Sequence, residues 1–166
     1  VSKIEQLKTL TDIEWHMIGP IQSNKTKLVA EHFDWVQSVD RLKIAKRLNE
    51  QRPADMPPLN VCIQLNLEQE ATKSGILPAE LPDIVEAISG MPNLRLRGLM
   101  AIPAANVSES QQRDTLSQLH ALYAQLQATT EGIDTLSVGM SNDMALAIAH
   151  GSTMVRIGTA IFGSRS

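Results

Sequence analysis

Residues Thr153-Met-Val-Arg-Ile-Gly-Thr-Ala-Ile-Phe-Gly163, read with Leu136-Ser-Val-Gly-Met-Ser141 a little upstream, decide the fold of this chain. Each is a short β-prone run that breaks at a glycine or a small hydroxyl residue. After the first break, Ser141-Asn142-Asp143 opens a helical pattern; after the second, Gly158-Thr159 opens a helix-like turn. N–H groups freed at helix starts, beside Ser or Thr hydroxyls, are ready donors for a phosphate. Two such turns in succession, at the end of an alternating β/α chain, match where barrel folds bind phosphate: after strands seven and eight.

Upstream the alternation is regular. Val1–Leu10 reads as helix without a start signal, so the chain is expected to begin partway through an element. Strand patterns follow at Glu14–Ile18, Trp35–Val39, Leu59–Leu67, Arg95–Ala101, Thr135–Val138 and Met154–Ile157. Helical patterns lie between them. They cover Ser23–Phe33, with Leu28 and Val29 on one face, and Arg41–Arg52, with Asp40 as N-cap and Leu42, Ala45 and Leu48 inward. They continue over Pro78–Ser89, closed by Gly90, and over a long helix capped by Ser108 or Ser110 that runs to Thr130 with Leu116, Leu119, Tyr123 and Leu126 inward. The last, Asn142–His150, is closed by Gly151. In Leu59–Leu67 the apolar Leu59, Val61, Ile63, Leu65 and Leu67 alternate with Asn60, Cys62, Gln64 and Asn66. The apolar face suits packing against helices. The amide face suits a barrel interior, the floor of a polar site or a solvent-facing edge.

Six strands joined by helices at this spacing mean right-handed parallel βαβ units. A doubly wound sheet and a TIM barrel both satisfy that. No G-x-G-x-x-G follows the first strand, whereas the phosphate-type turns lie after the last two strands, which favours the barrel. Eight strands close such a barrel, so the expectation is one barrel domain over residues 1–166, lacking two N-terminal βα units.

The chain has 166 residues, 43% hydrophobic and 20% charged, enough for one domain with a real core. Its net charge of −3 and its sparse aromatics, two Trp, one Tyr and two Phe, argue against a nucleic-acid partner. No apolar run is long enough to cross a bilayer, and no secretory signal pattern stands out. The single cysteine, Cys62, sits in a strand pattern and reads as a small buried hydrophobe. The expected compartment is the cytoplasm and the expected state a monomer. No His or carboxylate group shows metal-ligand spacing, so no metal is expected.

Trp15-His-Met-Ile-Gly-Pro-Ile-Gln-Ser-Asn-Lys25, followed by Leu28-Val29, resembles the signature of the YggS/PROSC family, the pyridoxal 5′-phosphate (PLP) homeostasis proteins. Arg97-Gly-Leu-Met-Ala101, Ser137-Val-Gly-Met-Ser-Asn-Asp-Met144 and Gly151–Gly163 match the same family, and the resemblance runs from end to end. It implies a PLP-binding TIM barrel of fold type III, similar to the N-terminal barrel of alanine racemase and without the racemases' second domain. About six of the eight βα units are accounted for.

The resemblance implies that Ser141, Gly158 and Thr159 hold the phosphate, that Arg156 faces the pyridine nitrogen and that Met140 lines the pocket. His16, Ile18 and Asn24 are expected at its border. Read as pattern alone, Ser141 could merely cap its helix, Gly158 end a strand, Arg156 form a surface ion pair, and Met140 and His16 be plain core residues. In the family the Schiff-base lysine lies on the first barrel strand, ahead of the point where this chain begins. Val1-Ser2-Lys3 mimics its surroundings but stands about a dozen residues before Trp15-His16, and Lys73 lies in a loop, so no Schiff-base lysine and no catalytic residue is assigned. The function implied is carriage or buffering of PLP without turnover. The alternative is a PLP-dependent amino-acid racemase, which needs a tyrosine as second base. The lone Tyr123 sits on a helix's apolar face.

Overall fold

The computed structural model describes residues 1–163. Five strands, β1 (His16–Met17), β2 (Trp35–Val39), β3 (Leu59–Leu65), β4 (Leu94–Ala101) and β5 (Thr135–Ser137), form one sheet in the order β1-β2-β3-β4-β5. Every neighbouring pair is parallel. Among the described residues seven α-helices accompany these five strands: α1 (Ser2–Gln6), α2 (Thr26–His32), α3 (Leu42–Gln51), α4 (Leu81–Ser89), α5 (Glu109–Thr129), α6 (Met144–Ala149) and α7 (Thr159–Phe162). Sequential parallel strands with helical crossovers make a partial α/β barrel.

The sheet's outer face carries the main core. Val36, Leu59, Val61, Ile63, Leu99 and Leu136 meet Ile44, Ala45 and Leu48 of α3, Ile84 and Ile88 of α4, and Leu116, Leu119, Tyr123 and Leu126 of α5 in one buried cluster. The inner face has its own small cluster of Trp35, Cys62 and Met100. The strict alternation read in β3 therefore holds, and because β3 lies between β2 and β4, its amides face the interior rather than a solvent edge. On β2 and β4 alternation alone would fail. Irregularities between Val36 and Val39, and opposite Val61–Cys62, each shift the face by one residue. Val36 and Val39 thus both face the helices.

Several local expectations need correction. The helix expected at Val1–Leu10 is only α1, which buries no residue and has no side-chain cap, so nothing extends it. The strand expected at Glu14–Ile18 shrinks to β1, whose His16 and Met17 pair in register with Trp35 and Val36 of β2. A 3-10 turn, Ser23–Lys25, takes up the start of the helix expected at Ser23–Phe33, and Leu28 is exposed while Val29 is buried, being about 100° apart on α2. Asp40 does not cap α3. Arg41 takes the N-cap position in extended backbone with no side-chain cap bond, and Ile44 rather than Leu42 joins Ala45 and Leu48 inside. Ser108, not Ser110, caps α5 by a reciprocal pair: Gln111 N–H donates to Ser108 Oγ at 3.2 Å and Ser108 N–H to Gln111 Oε1 at 3.0 Å. The sixth strand, Met154–Ile157, contributes a single parallel bridge, Met154 with Ser137.

One buried charge ties two βα units together. Arg52, just past α3, donates to the carbonyls of Ala30 and Phe33, each at 2.7 Å, and to that of Pro57 at 2.9 Å. These are carbonyls left over at the end of α2 and in the turn before β3, which a neutral side chain could not gather in this way.

Candidate functional site

Parallel strands all point one way, so the turns that follow them gather at one end of the sheet. The backbone past β5 and the Met154–Ile157 segment run side by side: Val138 N–H donates to Met154 O at 3.1 Å, and Arg156 N–H to Gly139 O at 2.9 Å. That pairing brings together Gly139 and Arg156, which stand just ahead of the two turns singled out from the sequence. Gly139 makes the first turn possible. It has φ +105°, and a Cβ there would come within 2.8 Å of the Ala147 Cβ and 3.2 Å of Val155. Met140 N–H is held by Asp143 Oδ1 at 2.7 Å, so Asp143, not Ser141, closes this turn, and α6 starts at Met144 rather than Asn142. Ser141 and Thr159 are exposed, and Thr159 opens α7, where N–H groups have no intrahelical acceptor. A Cβ built on Gly158 meets nothing within 4 Å, so there is room for a ligand to approach the backbone.

Arg156 anchors the centre. Its Nη1 donates to Ser137 Oγ at 2.6 Å and its Nη2 to the Ala101 carbonyl at 2.9 Å, tying this segment to the ends of β5 and β4. A guanidinium has five N–H donors, so others remain for a ligand's acceptor. Burial lowers its pKa from the ordinary arginine value, the Asp143 charge opposing, yet a guanidinium keeps its charge. Arg156 is therefore no surface ion pair but a half-buried cation fixed by neutral oxygens.

From Ser137 a polar chain continues across the interior. Ser137 Oγ–H donates to Gln37 Oε1 at 2.5 Å, and Gln37 Nε2 meets His16 Nδ1 at 2.8 Å and the Met154 sulfur at 3.2 Å. His16 stacks on Trp35 at 4.9 Å between centroids and 11° between planes. The Arg97 guanidinium also lies over the Trp35 ring, 4.6 Å from its centroid, while binding Asp134 and Asn60. Half-burial lowers the His16 pKa below the usual imidazole value; Glu14 and Asp34 pull it back only in part. Asp134, bonded to Arg97, is held below the usual carboxylate range. Cys62 is buried and its thiol is pushed up to about 12, which makes it an inert part of the inner cluster.

Of the residues singled out from the sequence, the structure links Arg156 and His16 through Ser137 and Gln37, while Met140-Ser141 and Gly158-Thr159 each follow the paired backbone of Gly139 and Arg156. Met140 is 46% exposed and Ile18 45% exposed, so neither is walled in by the described residues. Asn24 is exposed in its 3-10 turn. Sequence reasoning missed Gln37 and Ser137. The available signal was an amide in the fully buried β2, which must find partners. Lys73 is engaged by Glu68 at 3.2 Å and Glu70 at 3.6 Å, in the loop after β3. Among the described residues no group of His, Cys, Asp and Glu could hold a metal ion, and no helix is long and apolar enough to cross a membrane.

A partial parallel α/β barrel, with an arginine at the strand ends beside two phosphate-type turns, defines the class of α/β barrels that carry their ligand sites at the C-terminal ends of the strands. The comparisons with known proteins place it within that class. The family model for "Alanine racemase, N-terminal domain" matches residues 1–166, and the chain belongs to that family. It is 57% identical over 167 residues to the pyridoxal phosphate homeostasis protein of Escherichia coli (strain K12), a match covering 99% of this chain and 71% of that protein. The protein of the same name from Pasteurella multocida is 61% identical over 155 residues, covering 92% and 66%. Among solved structures, PipY of Synechococcus elongatus PCC7942 with PLP bound is similar at 34% identity and a TM-score of 0.88, covering 98% of this chain and 76% of that one. Alanine racemase from Clostridium difficile 630 shares the fold at 16% identity and a TM-score of 0.72.

Proposed function

We propose that this chain binds pyridoxal 5′-phosphate and carries or buffers it, in the manner that its relatives' name, pyridoxal phosphate homeostasis protein, describes. The observation that carries the reading is Arg156, held by Ser137 and the Ala101 carbonyl with N–H donors to spare, directly before the open Gly158-Thr159 turn. The donor set fits the cofactor: hydroxyls and free backbone N–H groups for a dianionic phosphate, and a fixed cation for a ring nitrogen. Ser141, Gly158 and Thr159 would hold the phosphate, Arg156 the pyridine nitrogen, and Met140 the ring's flank, with His16, Ile18 and Asn24 at the border. When bound, PLP supplies an aldehyde that condenses with amines and a pyridine ring that withdraws electrons.

What the chain's own residues do favours holding over turnover. A guanidinium donates a hydrogen bond to the ring nitrogen but does not give up its proton, so the nitrogen is left without the positive charge that strong electron withdrawal needs. The sole tyrosine, Tyr123, is buried in α5 with its hydroxyl accepting from Gln127, and so offers no base. The place of action would be the cytoplasm, with the chain a monomer. The test is PLP titration of the chain followed by incubation with L- or D-alanine in deuterated water. Saturable binding without inversion is expected. Inversion at about 1 per second or faster would establish a racemase instead, and absence of saturable binding would refute the cofactor assignment.

A further inference from the structure

Gln37 stands at the middle of the polar chain that crosses the barrel interior, with both ends of its carboxamide engaged. It is buried and lies on β2, 21 residues from His16 and 100 residues from Ser137 in the sequence. We infer that Gln37 is a positioning residue for both site groups: its carbonyl holds the Ser137 hydroxyl so that the Ser137 oxygen faces Arg156, and its amide fixes His16 as the Nε2–H tautomer.

The proton count argues for this orientation. Ser137 Oγ accepts from Arg156 Nη1 at 2.6 Å, so its own hydrogen needs an acceptor, and Gln37 Oε1 at 2.5 Å is the one it meets. Turning the amide over would set two donors, Gln37 and Arg156, on Ser137 and leave the hydroxyl hydrogen with nothing. It would also put the amide oxygen against the Met154 sulfur, where the N–H now points at 3.2 Å. With Nε2 as donor, His16 Nδ1 must be the unprotonated nitrogen, and the imidazole hydrogen lies on Nε2. An imidazolium would direct a second N–H at the amide N–H, so the same contact keeps the ring neutral. Gln37 itself does not titrate, so the arrangement holds wherever His16 is neutral.

The consequence for Arg156 is directional. Gln37 takes the Ser137 hydrogen and so leaves the Oγ lone pairs facing Arg156 Nη1, which together with the Ala101 carbonyl on Nη2 orients the guanidinium and aims its remaining N–H groups. That the aimed group meets a PLP ring rests on the reading above; the order of the protons does not.

The test is long-range 1H–15N correlation of the uniformly 15N-labelled chain at pH 8, without PLP. His16 should show an unprotonated Nδ1, and the Arg156 side-chain N–H signals should exchange slowly with water. Gln37→Glu is the decisive arm, since a carboxylate accepts at both oxygens. It should move the hydrogen of His16 to Nδ1 while keeping the slow Arg156 signals. Gln37→Leu should speed Arg156 exchange by about tenfold, the loss of roughly one hydrogen bond. A protonated Nδ1 in the unmodified chain, or an unchanged tautomer in Gln37→Glu, would overturn the inference, as would unchanged Arg156 exchange in a folded Gln37→Leu. If Gln37→Leu does not fold, the first two measurements decide. Normal tautomers with no PLP binding would refute the cofactor reading and leave this one standing.

Discussion

Thr159→Val separates cofactor binding from folding. Thr159 is the first residue of the four-residue α7, exposed, with an open Gly158 before it. Valine keeps the branched shape and removes only the hydroxyl. No buried group loses a partner, so the folding cost belongs to the surface class, within about 0.5 kcal/mol. For a domain of this size that is a shift in Tm of roughly 1–2 °C. A hydrogen bond to a charged phosphate is worth about 1.5–3 kcal/mol, and each 1.4 kcal/mol is about tenfold in affinity. PLP binding should therefore weaken by roughly ten- to a hundredfold while the melting curve hardly moves. The assay is PLP titration read by absorbance and by quenching of tryptophan emission, with Thr9→Val, another exposed threonine, as control. Equal Kd values for Thr159→Val and Thr9→Val would place the phosphate elsewhere and refute the cradle assignment.

Borohydride reduction of the chain after exposure to stoichiometric PLP, followed by peptide mass mapping, should find no phosphopyridoxyl adduct specific to Lys3 or Lys73; an adduct at either would supply the lysine that the site reading leaves unassigned. Folding stability should fall as pH drops below about 6.5, because the folded His16 pKa is lowered and the unfolded chain binds more protons in that window. A His16→Gln variant should lose part of that slope in urea melts taken between pH 5 and 7.5, and an unchanged slope would assign it to other groups. Gly98→Ala should disrupt the junction of β4 and β5, since a Cβ there would lie 1.7 Å from the Thr135 carbonyl oxygen. The two strands must separate by more than an ångström, and urea unfolding should register a loss of about 2 kcal/mol or more; a melt like that of the unmodified chain would mean that the pairing there is slack.

What depends on neighbours in the chain was legible in the residues alone. Hydrophobic period, proline and glycine placement and capping residues marked the βα alternation, and the Gly139–Ser141 and Gly158–Thr159 turns were visible because a turn is written in consecutive residues. What depends on residues far apart emerged only on folding. Counting in twos fails across the two β-bulges, whose position is set by pairing with the next strand. Asp40 has the chemistry of an N-cap, but the chain's path into α3 gives that place to Arg41. Arg97 bonds Asp134 and Asn60, each 37 residues away, and covers a tryptophan from another strand. Gln37 looked like any strand glutamine until folding brought Ser137 and His16 to its two ends. A buried amide announces that it needs partners; only the folded sheet, which brings together residues 100 apart in the chain, says which they are.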